Sequence, residues 1–366
     1  LYFGVMIDAG LFDPLIKKIL DVVHGDPLKV SVGTAVLAAI ISLDGDGSTT
    51  YMVTCSAMLA VHRRLKMDPL ILPAVAVMMN SVMNIIPWGG PTGRVLAALK
   101  VDAADVFTPL IPCMFVGALW VCFVAYRWGL KERARLGVMD LDNSAIASQV
   151  QVSEDPEADK LKRPAKFYIN LGLTTLLMIA LMAGILPLSI LFMVGLAFAL
   201  LINYPSLKEQ QARIVANGAN AMPVVAMVFA AGIFMGIMGG SKMVDAMAKS
   251  LIAAIPPSMG PHFSLISALV SLPGVFFLTN DAYYFGVLPV LAKAAAAYGI
   301  SPEEMGRAAL IGQGAHLLSP LVPSTYLLVG LNKVEFGDLQ KYALLPAIGI
   351  SMVWLVTAVA LGLIHL

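Results

Sequence analysis

The chain has 366 residues, of which 59% are hydrophobic and only 13% charged, with a formal net charge of +1 and a mean hydropathy of +0.84. A soluble domain carries roughly 25% charged residues, so most of these side chains must face lipid or the inside of a helix bundle. The near-zero net charge gives no reason to expect nucleic acid as a partner.

A membrane-crossing helix needs about 20 apolar residues. It opens in an apolar run, Leu1-Tyr2-Phe3-Gly4, without Met. The expectation is a first half that is N-terminally incomplete. Residues 30–43 form a first apolar arm. The polar tip Asp44-Gly45-Asp46-Gly47-Ser48-Thr49 follows, and a second arm runs to Val61. Arms of about 14 residues are too short to cross ~30 Å at 1.5 Å per residue. They predict a re-entrant hairpin over 30–64. Residues 69–99 reach span length but contain Pro87-Trp88-Gly89-Gly90-Pro91-Thr92-Gly93, which predicts a broken helix. A further span lies over 106–126.

The polar stretch 131–166 holds Lys131, Arg133, Arg135, Lys160, Lys162, Arg163 and Lys166 and reads as a cytoplasmic linker. Residues 167–207 hold two spans with a break around Gly184 and Pro187, and 214–241 hold another. A second hairpin is predicted over 262–297, with its tip at Leu278-Thr279-Asn280-Asp281. A second broken helix is predicted over 303–332, interrupted at Ser319-Pro320-Leu321-Val322-Pro323-Ser324-Thr325, and 342–366 hold a last span. Cys55, Cys113 and Cys122 lie in apolar segments and read as small core hydrophobes.

The two hairpins recur at an offset of 232. Gly47-Ser48-Thr49 matches Thr279-Asn280-Asp281, Tyr51 meets Tyr283, and Pro91-Thr92 meets Pro323-Ser324. The basic His62-Arg63-Arg64-Leu65-Lys66 opens the first hairpin to the cytoplasm. Counting spans then opens the second to the outside. The prediction is an all-α polytopic membrane protein of two inverted repeats, with two re-entrant hairpins and two broken helices. The first repeat covers 1–130, the linker 131–166 and the second repeat 167–366. Inverted repeats with broken helices are a hallmark of secondary transporters.

The chemistry is expected at the tips and breaks. Half-helices that start inside a membrane present free N–H groups and a positive dipole end, which suit an anion. Gly47, Ser48, Thr49, Gly89, Gly90, Pro91, Thr92, Thr279, Asn280, Pro323, Ser324 and Thr325 are the candidate binding residues. Arg94 follows the first break, and an intramembrane charge is usually functional. Its guanidinium offers a fork to a carboxylate, although an Arg snorkelling to the interface is the plainer alternative. Asp44, Asp46, Asn84 and Asp281 are candidates for meeting a divalent cation or relaying protons. Each carboxylate can equally cap its half-helix, and Asn84 can equally serve helix packing. His316 can titrate near neutral pH or simply pack.

The segments Asp44-Gly45-Asp46-Gly47-Ser48-Thr49-Thr50-Tyr51, Asn84-Ile85-Ile86-Pro87-Trp88-Gly89-Gly90-Pro91-Thr92 and Leu278-Thr279-Asn280-Asp281-Ala282-Tyr283-Tyr284 resemble the citrate–metal:proton symporter family (CitMHS) of the ion transporter superfamily. The opening Leu1-Tyr2-Phe3-Gly4-Val5-Met6-Ile7-Asp8-Ala9-Gly10 resembles that family too. The resemblance covers the whole chain. It implies proton-coupled uptake of citrate complexed with a divalent metal ion, magnesium-like being favoured over calcium-like. The metal travels as cargo, and no tightly bound cofactor is implied. It also implies a homodimer in a bacterial cytoplasmic membrane, with a scaffold and an elevator-type moving domain. Sodium-coupled relatives in the superfamily carry Ser-Asn-Thr at each tip, and the departure here suits protons. The alternative reading is another carrier of di- or tricarboxylates, or of ions, in the same superfamily. An intramembrane aspartyl protease would need a carboxylate pair from two helices and leaves the paired breaks without a role, so no enzymatic activity is expected.

Overall fold

The computed structural model describes residues 1–23, 25–138, 159–182 and 185–365, and among these the regular structure is helical, with no strand. Most of the predicted linker, and Gly184 of one predicted break, lie outside the described residues.

Helices α1 (Tyr2–Asp8) and α2 (Asp13–Val23) open the chain. Helix α3 (Pro27–Ile41) begins under Asp26, whose carboxylate accepts the Leu28 N–H at 3.0 Å. Pro27 stands at the first helical position, where its missing N–H leaves nothing unsatisfied. One 3₁₀ turn (Ser42–Asp44) and Gly45, at φ 81°, reverse the chain into α4 (Gly47–Arg64). Helices α3 and α4 pack side by side as a hairpin. Its arms are longer than the sequence predicts. Residues Pro27–Asp44 and α4 each cover 18 residues. The helices run on through Lys29, His62, Arg63 and Arg64, beyond the apolar runs. Arm length therefore does not by itself exclude a full crossing.

Helix α5 (Ile71–Met83) is buried along its whole length, and α6 (Gly90–Leu99) follows a six-residue break. Next come α7 (Ala103–Val106) and α8 (Ile111–Leu136). Helix α8 extends past Lys131 into the predicted linker. Lys131, Glu132 and Arg133 are good helix formers, and basic groups suit a helix C-terminus. Then follow α9 (Phe167–Met182), α10 (Leu188–Asn203), α11 (Leu207–Gly240) and, after a 67° bend, α12 (Met243–Ala254). Helix α13 (Phe263–Phe277) leads to the second tip, where a π-helical stretch (Ala282–Val287) runs into α14 (Leu288–Ala295). The chain ends with α15 (Pro302–Leu310), α16 (Gln313–His316), α17 (Pro323–Asn332) and α18 (Phe336–Ala360).

Among the described residues four helices are long and apolar enough to cross a membrane, or five with the bent pair counted as one. Large apolar side chains such as Phe115, Leu176, Phe229, Ile233 and Val356 stand exposed. In water such a surface would be costly, and in a bilayer it is the rule. The chain is a multi-pass helical membrane protein.

Two compact units form. The first holds Leu1–Val22 and Asp142–Ala230. Here Tyr2 and Thr174 share a hydrogen bond of 2.8 Å, and Asn170 and Asn203 exchange side-chain amide bonds at 2.9 Å between α9 and α10. Buried amide pairs of this kind hold apolar helices together. The second unit holds Val23–Leu141 and Ala231–Leu366, with both hairpins and both broken helices. Its α8 packs against α3 and α18, and α5 lies against α16.

Within the second unit local features recur at an offset of 233, one more than the side-chain matches predict. Asp46 caps α4 by accepting the Thr49 N–H at 2.8 Å, and Thr279 accepts the Ala282 N–H at 3.1 Å (279 − 46 = 233). The breaks cover residues 84–89 and 317–322. Helices α6 and α17 both end on a left-handed lysine, Lys100 and Lys333. Thr92 donates to the Ile85 carbonyl at 2.6 Å, and Thr325 donates to that of Leu317. Both breaks thus fall about three residues before their predicted positions. Gly90-Pro91-Thr92-Gly93 and Pro323-Ser324-Thr325 are first-turn residues of α6 and α17 rather than unwound chain. Proline there starts a helix instead of interrupting one.

Candidate functional site

Each break is tied to the hairpin before it. Trp88 Nε1 donates to the Leu43 carbonyl at 2.8 Å, and Ser319 Oγ donates to that of Phe276 at 2.6 Å. Helices α6 and α17 then start inside the unit, and neither has a side-chain cap on its first turn. Gly89 permits the first of these starts. A Cβ there would lie 2.0 Å from the Asn84 carbonyl oxygen.

Each of these helix starts meets a tip of the other half. At one corner the start of α4 meets the start of α17. A Cβ on Gly47 would lie 3.2 Å from Ser324 Oγ and 3.0 Å from Asn80 Nδ2. Asn80 Nδ2 and Tyr51 Oη are buried there without a hydrogen-bond partner, although Tyr51 lies beside Asn80 and Thr325. At the other corner the start of α6 meets the π-helical stretch. Arg94 Nε donates to Asp281 Oδ1 at 2.7 Å, and Arg94 Nη1 donates to the Gly90 carbonyl at 2.9 Å. Gln313 Nε2 donates both to Asn280 Oδ1 at 3.0 Å and to Tyr284 Oη at 2.8 Å. Gln313 Oε1 is buried without a partner.

The predicted residues divide accordingly. Arg94, Asp281 and Asn280 come together at one corner, and Gly47 and Ser324 at the other. Ser48 lies in the first turn of α4. Gly89, Gly90 and Pro91 shape the start of α6, as Pro323 does that of α17. Thr49 donates its hydroxyl to Asp46 at 2.7 Å, while Thr92 and Thr325 donate theirs to the breaks. Asp46 caps α4, Thr279 caps the second tip, and Asp44 accepts the Asp46 N–H at 2.8 Å. Asn84 ends α5. His316 is buried and bonded through Nδ1 to the Val275 carbonyl at 2.6 Å, a packing arrangement. Among the described residues no group of three His, Cys, Asp or Glu side chains is placed to hold a metal.

Sequence reasoning missed Gln313, Tyr284, Asn80 and Tyr51. These are also two pairs 233 apart, Tyr51 with Tyr284 and Asn80 with Gln313. A lone amide inside an apolar helix was the available signal.

Interrupted helices that start within an apolar unit, beside an Arg–Asp pair and buried amides, are the construction of a membrane transporter. The family model described as "Citrate transporter" (CitMHS) matches residues 1–312. The chain belongs to this citrate transporter family. It is 60% identical over 364 residues to a protein of Bacillus subtilis (strain 168) named "Citrate transporter", covering all of this chain and 84% of that one. It is 48% identical over 366 residues to the "Mg(2+)/citrate complex secondary transporter" of the same organism, again covering all of this chain and 84% of the relative. The "Uncharacterized transporter YraO" of that organism is 48% identical over 368 residues, with the same coverage.

Proposed function

We propose that this chain takes up citrate as a one-to-one complex with a divalent metal ion, magnesium-like in preference to calcium-like, driven by protons. The observation that carries this reading is the Arg94–Asp281 pair at the start of α6. It sets a guanidinium beside a carboxylate, and a metal–citrate complex presents both an anionic and a cationic face.

Charge balance supports it. Free citrate carries about three negative charges, which a low-dielectric site opposes. Chelation leaves about one, which a single Arg and two helix starts can balance. The name of the Mg(2+)/citrate relative, at 48% identity, points the same way.

Proton rather than sodium coupling rests on the tips, which read Gly47-Ser48-Thr49 and Thr279-Asn280-Asp281 instead of Ser-Asn-Thr twice. The two halves are inverted repeats, a reading supported by the features recurring at an offset of 233. Ser48, Asn280, Asp281 and the starts of α6 and α17 line one cavity. The working protein is a homodimer in a bacterial cytoplasmic membrane, with a scaffold domain and an elevator-type transport domain. Uptake of labelled citrate into proteoliposomes with the divalent ion varied tests this. Uptake that follows the concentration of the complex supports the reading, and uptake that follows free citrate refutes it.

A further inference from the structure

We infer that Asp281 is the residue that makes the site select metal-bound over free citrate, through exchange of partners with Arg94. The inference rests on the substrate proposed above and adds how that substrate is chosen. Asp281 occupies the Nε edge of the Arg94 fork at 2.7 Å. Arg94 is mostly buried, with 16% of its side chain exposed, whereas Asp281 has 42% exposed. The carboxylate therefore sits on the open side of the pair, where an incoming anion would compete with it.

The pair has no equivalent in the other half. At the offset of 233 the counterpart of Asp281 is Ser48 and that of Arg94 is Leu327. Among the described residues no ion pair joins α4 to α17 at the other junction. Asn332 Nδ2 reaching Cys55 Sγ at 3.3 Å and close packing hold it. The backbone at the Asp281 corner is held by Thr279, whose hydroxyl accepts the Ala282 N–H at 3.1 Å and whose carbonyl accepts the Tyr283 N–H at 3.0 Å, and Gln313 ties the side chains of Asn280 and Tyr284 together. Asp281 can thus turn away from Arg94 by side-chain rotation while its backbone stays fixed.

The consequence follows from charge. A free citrate carboxylate that takes Arg94 leaves Asp281 an unpaired carboxylate beside an anion, and like charges so juxtaposed are strongly disfavoured. A metal–citrate complex fills both positions. One of its carboxylates takes the Arg94 fork, and the hydrated metal faces Asp281, which accepts hydrogen bonds from the metal's waters or replaces one. One internal ion pair becomes two intermolecular ones, and the complex's remaining charge of about −1 lies beside the positive end of α6.

The test is binding of labelled citrate to the purified protein with excess Mg²⁺ and with EDTA. It compares wild type, Asp281→Asn and Asp281→Ser, the last placing at this corner the residue its counterpart carries. Charge pairs with a partly exposed partner couple by up to about fivefold, less than dry ones. The preference for the complex should therefore fall about threefold or more in both variants. The fall should include tighter binding of free citrate, because Arg94 has been released. A variant that folds and keeps the wild-type preference overturns the inference, as does equal weakening for both forms of citrate. A wild-type protein that shows no preference for the complex would instead sink the proposed substrate itself.

Discussion

Arg94 and Asp281, 187 residues apart in sequence, meet at 2.7 Å where α6 begins. The guanidinium is held in place by its second bond to the Gly90 carbonyl four residues earlier. Replacing Arg94 by Ala removes the cation and leaves Asp281 alone. Uptake should fall by roughly ten- to a hundredfold, the range for losing a charge-assisted bond. Arg94→Lys should recover only part of it, because an ammonium lacks the planar fork. Initial rates of labelled citrate uptake, normalised to folded protein, check both variants. Wild-type uptake by Arg94→Ala would remove Arg94 from the substrate path.

Thr92 and Thr325, 233 residues apart, each donate to a carbonyl of the preceding break, Thr92 to that of Ile85 seven residues back and Thr325 to that of Leu317 eight residues back. Both are buried. Changing either to Val keeps the shape and strands a buried carbonyl, at about 1–3 kcal/mol. The two variants should lose similar stability in thermal melts in detergent. A large loss from one and none from the other would break the equivalence at an offset of 233.

Gly89 has no space for a side chain, because the Asn84 carbonyl oxygen would lie 2.0 Å from its Cβ. That oxygen belongs to the backbone and cannot swing aside. Gly89→Ala should therefore shift the whole break and destabilise the protein by about 2 kcal/mol or more. At Gly47 the neighbours are instead the ends of Asn80 and Ser324. Gly47→Ala should melt close to wild type and lose transport. Melting curves paired with uptake assays separate the two effects.

Much of this was legible in the sequence, and the exceptions have physical causes. Uncharged runs marked most of the helices, and prolines marked both breaks. The offset came out one residue short because matching by side-chain type equated Tyr51 with Tyr283. The caps Asp46 and Thr279 do the same work with different chemistry, and only their hydrogen bonds reveal it. Arg94 and Asp281 were each identifiable as intramembrane charges, but nothing in a linear chain pairs residues 187 apart. His316 was the opposite case. A histidine beside a break looked titratable, and the fold binds it to the Val275 carbonyl. Asn80 and Gln313 leave little trace in the sequence, because a single amide in an apolar helix carries no spacing pattern.

Proton coupling makes a separate prediction. In proteoliposomes, citrate uptake with Mg²⁺ should rise when the outside is made acidic relative to the inside. A protonophore should abolish the rise, and replacing sodium with potassium should leave it unchanged. Sodium-dependent uptake that ignores the pH gradient would contradict the reading of the tips.

The central claim is that metal and citrate cross together, and counting both in the same vesicles tests it most directly. Proteoliposomes would be given labelled citrate and a labelled divalent cation, and the two accumulated amounts compared over a range of cation concentrations. The account predicts equal uptake of the two, vanishing together when EDTA removes the cation. Citrate accumulating without its metal would contradict it.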